Sequence, residues 1–307
     1  MIGTALIPKL VERGYQVLAG DLKPLPINFP AEVQYLHQDL NDLDKGQIAD
    51  FSPEAFIHLA AAFERSEESP EFWDISYRHN LRLSHHLVGV LRSTGTLKRI
   101  VNASSYLVYD PSLYMSNGPD QAPVELSERS RISPRNLIGS SKYFHELELE
   151  FISRTTETPI EITSARIFRG YGCGGRDVIS RWVRMALAGN PIEVFGEKGA
   201  FDYVFAEDSA EGLLRILDAK DLAGVVNLGG GEARRVGDIV EILRGFFPDL
   251  QVAKGTEFEK LESSVADVTR LANSLQWRPE HSLEDGIAKI VSYEESLLAE
   301  SNRGRPA

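Results

Sequence analysis

The 307-residue chain has one cysteine, Cys173. A single thiol cannot build a disulfide framework, and it fits a reducing cytoplasm. Long apolar runs are missing too. None approaches the roughly 18 residues that span a bilayer. Lys9, Glu12 and Arg13 break up the N-terminal apolar stretch that a secretory signal would need. Positive charge is short: 33 Lys and Arg face 45 Asp and Glu, a net charge of −12. Such a field repels phosphate backbones and argues against nucleic acid as a main partner. Metal-ligand spacing is absent, because the neighbours His85 and His86 on one helix cannot both face one ion and no Cys or carboxylate spacing completes a set. The glycines of "GGGEARR" (229–235) lack the Lys-Ser/Thr of a phosphate loop and read as a flexible turn. Repeats and low-complexity linkers are missing as well.

What is present is a strand–helix rhythm. "IGTALIPKLVERG" places Ile2, Leu6, Leu10 and Val11 on one helical face, with Gly14 at its end. "YQVLAGD", "VQYLHQDL" and "AFIHLAAA" read as strands, the last apolar enough to be covered on both faces. "LRLSHHLVGVLRSTG" and "SSKYFHELELEFISRTT" read as helices, and "KRIVNASS" and "IEITSARIF" as strands. This alternation implies an α/β fold with a doubly wound parallel sheet. His58 lies inside a buried strand and reads as a core histidine. After about residue 170 the rhythm loosens into a smaller α+β region. The expected organisation is a first domain over 1–168, a smaller substrate-binding region over 169–300 interleaved with it, and a frayed tail over 301–307. The cleft between the two regions is the default ligand site.

In open parallel sheets, ligands bind beyond the carboxyl ends of the strands. Those ends carry Asp21, Asp39, "LAAAF" (59–63), "NASSYLVYD" (102–110) and "ARIFRGYGCGG" (165–175). Together with "IGSSK", "DYVFAEDSAEGLL" and "LQWRPEHSLEDGI", they make the chain resemble the extended short-chain dehydrogenase/reductase family, the NAD-dependent nucleotide-sugar epimerases and dehydratases. The resemblance covers nearly the whole chain and implies a Rossmann-type first domain. It places Leu59, Ala60 and Ala61 along the cofactor, aligns Ser105 with the catalytic serine, and makes Tyr109 its companion. It puts Lys142 where the family lysine holds the nicotinamide ribose and tunes the catalytic phenol.

The same resemblance raises a question about the beginning. Family members start with a strand and a glycine-rich turn, whereas this sequence starts at that turn's third glycine, Gly3. The strand would be central, and a sheet without it exposes two edges and an apolar slot. That loss exceeds the roughly 5–15 kcal/mol that holds a domain together. The expectation is therefore that Met1 is an internal methionine of a Gly-Met-Ile-Gly turn; the rival is a truncation compensated by another chain or a rearranged sheet. Gly3 and its helix start remain for the pyrophosphate. Asp21, 18 residues after Gly3, has the spacing of a carboxylate that takes ribose hydroxyls, favouring NAD over NADP although Lys23 is close by. Asp39 would sit by the adenine. Both aspartates could also simply end strands.

The catalytic phenol is missing: four residues before Lys142 stands Ile138. Losing a positioned acid/base typically costs roughly 10²–10⁴ in rate. Tyr143 is about 140° away around the helix. Tyr106 and Tyr109 follow Ser105 and could reach the cleft, Tyr109 as a substitute proton carrier. A second departure is Phe201, where the family often has the diphosphate-binding Arg before Asp202. Arg169 replaces a usual Asn and Cys173 a usual Pro, so Arg169 could supply the anion contact, with Arg176 as helper and Tyr106 lining the substrate. An ion pair with Glu or Asp is the alternative for Arg169. The acidic stretch "ERSEESPEF" reads as a surface loop, at the place of a substrate-covering loop. Two functions stand: an NAD-dependent enzyme acting on a nucleotide-linked sugar, or a non-catalytic relative that binds nucleotide or nucleotide sugar, or serves as a partner subunit. By resemblance alone the chain forms a homodimer through the helix containing Lys142.

Overall fold

The computed structural model describes residues 1–26, 29–63, 68–116, 122–156, 159–255 and 260–303. Residues 64–67 of the acidic loop and 304–307 of the tail lie outside the described residues. Helix α1 (Ile2–Glu12) buries Leu6 and Leu10, and Gly14 beyond it has φ +85°, a left-handed conformation that glycine adopts freely. Strands β1 (Leu18–Asp21) and β2 (Gln34–His37) follow as a parallel pair. Next come β3 (Ala55–His58), helices α2 (Pro70–Ser76) and α3 (Leu83–Ser93), strand β4 (Arg99–Ser105), helix α4 (Leu137–Thr155) and strand β5 (Glu161–Ile167).

The main sheet is parallel, in the order Gly224–Leu228, β5, β4, β3. Alternation along its strands feeds two apolar layers. Val101 and Ala103 join Leu6 and Leu10 of α1 and Leu213 and Leu214 of the helix Ala206–Asp218. Ile100 and Ile162 face the other way, onto Leu87 and Leu91 of α3 and Leu149 and Ile152 of α4. The result is a helix–sheet–helix sandwich.

This sheet has a break. Among the described residues, β1 pairs only with β2, and β3 only with β4. Yet Leu18 of β1 and Phe56 of β3 pack on one apolar layer, and Val17 and Ile57 on the other. The two strands share both layers without sharing hydrogen bonds. The resemblance assigns a first strand to this position.

Two local expectations change. The end of the acidic stretch is helical: Ser69 caps α2 by accepting from the Phe72 amide at 3.3 Å, and Pro70 occupies the first turn. A π-helical stretch, Tyr77–Arg82, joins α2 to α3. The glycines at 229–231 are not a loose turn, because the Gly230 and Gly231 amides donate to buried Asp202 at 2.7 and 2.9 Å, and Ala266 adds a third at 3.0 Å.

In the C-terminal part, strand Ala200–Phe205 lies between Arg169–Tyr171 and Ala233–Arg235. Its core is Ile179, Trp182 and Val183 against Ile239, Leu243, Ile287 and Ile290. Strand Gly224–Leu228 returns to the main sheet, although it lies well beyond residue 168. The break predicts uneven protection. In native-state hydrogen exchange, β1 amides should exchange orders of magnitude faster than the Ile100–Ala103 amides of fully buried β4. Equal protection would mean that the two parts of the sheet open together.

Candidate active site

The end of β4 and the start of α4 are locked together. Ser105 ends β4, half-buried, and accepts from the Leu107 amide at 3.2 Å. The Leu107 carbonyl accepts from the Arg135 amide at 2.9 Å. Asn136 caps α4 by accepting from the Gly139 amide at 2.9 Å. A side chain at Gly139 would run far inside contact with the Leu107 carbonyl, so only glycine fits there. Ile138 and Lys142 are one turn apart on this helix, Ile138 buried and Lys142 half-buried.

Beneath Lys142 lies a polar layer. Glu146, the carboxylate one turn further on, is buried and fully used: Arg166 donates through Nε at 3.1 Å and through its terminal nitrogen at 2.7 Å, and the Ser104 hydroxyl donates as well. His58 is a satisfied core histidine, 2.7 Å from the Ser84 hydroxyl. Its ring meets that of His145 edge-on at 5.3 Å. His145 Nδ1 lies 3.1 Å from Glu148, which also pairs with exposed His85. His86 points elsewhere, to the Leu43 carbonyl at 2.7 Å. Among the described residues the Lys142 amine has no hydrogen-bond partner. Burial lowers its pKa to about 8, against a weaker opposing pull from Glu146. Burial also holds His58 and His145 below the usual histidine value, with the Lys142 charge assisting.

The structure corrects Tyr109 as the proton carrier. Its ring is fully buried, its hydroxyl donates to Asn227 at 2.6 Å, and Arg166 covers its face at 4.9 Å. Burial pushes its pKa to about 12. Tyr106 is buried as well, stacked on Phe168 at 5.1 Å, with its hydroxyl against Arg169. Burial raises its pKa strongly.

On the cofactor side, Gly3 and Leu59 adjoin: a Cβ on Gly3 would lie 3.5 Å from the Leu59 side chain. Leu59, Ala60 and Ala61 follow β3 as irregular chain. This segment is held by Asn80, which sequence reasoning missed: its side-chain amide accepts from the Ala62 amide at 2.7 Å and donates to the Ala62 carbonyl at 3.0 Å. Asp21 is exposed at the end of β1, with one oxygen on the Lys23 amide at 3.0 Å. Asp39 does not end a strand. It caps a short turn, accepts from Asn41 and takes Arg78 at 2.5 Å, so its carboxylate is already engaged. These contacts lower its pKa to about 2, with the Asn41 amide the largest cause.

Arg169 is partly exposed, 3.9 Å above the ring centre of Phe201 and 4.0 Å from buried Glu262. The nearer partner of Glu262 is Arg135, a residue the sequence did not single out. The Arg169 guanidinium thus lies over Phe201, where the resemblance leads one to expect a diphosphate-binding arginine. Arg176 is exposed, and among the described residues nothing pairs with it.

The fold and these strand ends define a dinucleotide enzyme. Residues 1–229 match the model of the NAD dependent epimerase/dehydratase family, and the chain belongs to that family. It is similar to the UDP-glucuronate 4-epimerase of Thermodesulfobacterium geofontis, 27% identical over 79% of this chain and 73% of the relative. It is 25% identical to the UDP-glucose 4-epimerase of Mycolicibacterium smegmatis over 95% of each. Among solved structures, MoeE5 in complex with UDP-glucuronic acid and NAD superposes with a TM-score of 0.83 at 25% identity, over 96% of both chains.

NAD is the cofactor, and the residues present fit it. The first amides of α1 have no side-chain cap and are free for pyrophosphate. One Asp21 oxygen is free for ribose hydroxyls, and the unpartnered Lys142 amine can donate to the other ribose. If Tyr109 is a core residue, Tyr109→Phe should leave turnover within about twofold. It should lower stability by about 1–3 kcal/mol, because Asn227 loses its donor. A kinetic assay beside a thermal melt checks both.

Proposed function

We propose that this chain is an NAD-dependent epimerase, dehydratase or reductase acting on a nucleotide-linked sugar. The observation that carries the proposal is the Ser105 turn locked onto the helix of Lys142, beside a cofactor segment fastened by Asn80. The activities named for its relatives support the substrate class. NAD supplies hydride acceptance and donation. Ser105 would hydrogen-bond the reacting sugar oxygen, and Lys142 would hold the nicotinamide ribose. Arg169, its guanidinium above Phe201, would take the diphosphate in place of the family's arginine. Its half-exposure leaves room for an anion, with Glu262 already paired to Arg135.

One observation favours a second reading. Ile138 is buried where the resemblance places the phenol, which would suit a protein that binds nucleotide without turning it over. Restoring the phenol separates the two. Ile138→Tyr should raise turnover of UDP-glucose or UDP-glucuronic acid by roughly 10²–10⁴ in a coupled assay. If this variant binds NAD but converts neither sugar nucleotide, the chain is a binding subunit.

The homodimer is supported by an apolar stripe on α4. Phe144, Leu147 and Phe151 are 53%, 45% and 61% exposed at helical spacing. Trp73 and Tyr77 extend this face from the preceding helices. Phe151→Glu should shift the protein from dimer to monomer in sedimentation velocity, whereas a monomeric wild type would remove the proposal. The lone Cys173 supports a cytoplasmic setting.

A further inference from the structure

The tyrosines around this site have other commitments. Tyr109 is bound to Asn227, Tyr106 lies against Arg169, and Tyr143 packs against the main apolar core. Position 138 holds a hydrocarbon. The titratable group one turn away, with its polar atom free, is the amine of Lys142.

We propose that Lys142 carries the proton itself, its amine accepting it from the substrate hydroxyl and giving it back on the return step. The proposal rests on the enzyme reading above. The hydroxyl O–H bond breaks, and its proton binds the lone pair of Lys142 Nζ. Bound NAD would supply the hydride acceptor, so the carbinol carbon would lose a hydride, two electrons in all, and the sugar would become a ketone. The reverse transfer rebuilds the hydroxyl with the proton of the ammonium.

The surroundings favour a neutral amine. On its own helix, Glu146 is already engaged by Arg166 of β5 and Ser104 of β4, and its pull on the ammonium is weaker than the effect of burial. Glu148 is shared between His145 and His85 of α3. His58 of β3 and His145 are both buried and kept neutral. Among the described residues no carboxylate hydrogen-bonds the amine. A lysine so placed behaves as a general base, which an ion-paired lysine cannot do.

The pH dependence follows from the lowered value. The neutral amine is the base, so turnover of UDP-glucose should rise with pH and level off above an inflection near pH 8. Lys142→Arg keeps hydrogen-bond donors for the ribose but cannot release a proton. At saturating NAD, with occupancy checked by calorimetry, it should lower turnover at least about 100-fold. A readout without turnover uses the wild type. Brief acetic anhydride labelling across pH, read by peptide mass spectrometry, should show Lys142 half-reactive near pH 8 and exposed lysines near their usual value of about 10.4.

Lys142 labelling together with the exposed lysines would overturn the proposal, as would a Lys142→Arg protein with wild-type turnover. The two readings fail differently. A silent wild type with an active Ile138→Tyr variant keeps the enzyme fold and removes the role of Lys142. Silence from both, with NAD bound, removes the enzyme reading and with it this proposal.

Discussion

The buried carboxylate of Glu146 is the contact on which the site depends. It joins α4 to both central strands, through Ser104 of β4 and Arg166 of β5. Removing one partner of such a pair typically costs about 3–5 kcal/mol, because the other charge is left buried and unpaired. Its position one turn beyond Lys142 gives it a second effect. A carboxylate there would ordinarily hold the lysine charged, but this one is engaged by a guanidinium and a hydroxyl, and its pull is weaker than the effect of burial. The same contact therefore orients the helix, and among the described residues the amine keeps no hydrogen-bond partner.

The start of α4 is fixed by a separate set of contacts, and these need no charge. Leu107 and Asn136 receive the Arg135 and Gly139 amides, and Gly139 allows the approach. Position 138 is thereby set against the turn that carries Ser105. An isoleucine held this firmly is buried, not swung aside into solvent. On the cofactor side, Asn80 performs a similar service, fastening the chain after β3 from a π-helical stretch. π-helical turns are rare and concentrate at functional positions.

Much of this was legible in the sequence, because periodicity and strand-end chemistry are local. The strand character of "RIVNASS" and the spacing of Ile138 and Lys142 needed no tertiary information. What was not legible depended on partners distant in the chain. Asn80 reaches Ala62 from 18 residues away, and Arg135 reaches Glu262 from 127. Tyr109 looked like a cleft residue beside Ser105 until Asn227, 118 residues on, claimed its hydroxyl. Asp39 reads as the end of the strand "VQYLHQDL", yet its carboxylate caps the next turn. The glycines at 229–231 looked loose because Asp202, which binds their amides, is far upstream in the chain. The signal for α2 was present: Ser69-Pro70-Glu71 is a helix start, hidden behind the acidic residues before it.

The hydrocarbon at 138 and the weakly basic lysine at 142 are two sides of one arrangement. In the family pairing, a phenol or phenolate beside the lysine shares its proton and favours the charged amine. An isoleucine offers no dipole to the ammonium, which burial disfavours and Glu146 supports only in part. The neutral imidazoles of His58 and His145 cannot restore it, since each is itself held uncharged by burial. Each neighbour that fails to stabilise the ammonium lowers the cost of the free amine at moderate pH. On the proposed reading, a hydrocarbon at the place the resemblance gives the phenol and a free amine one helical turn away belong to one arrangement.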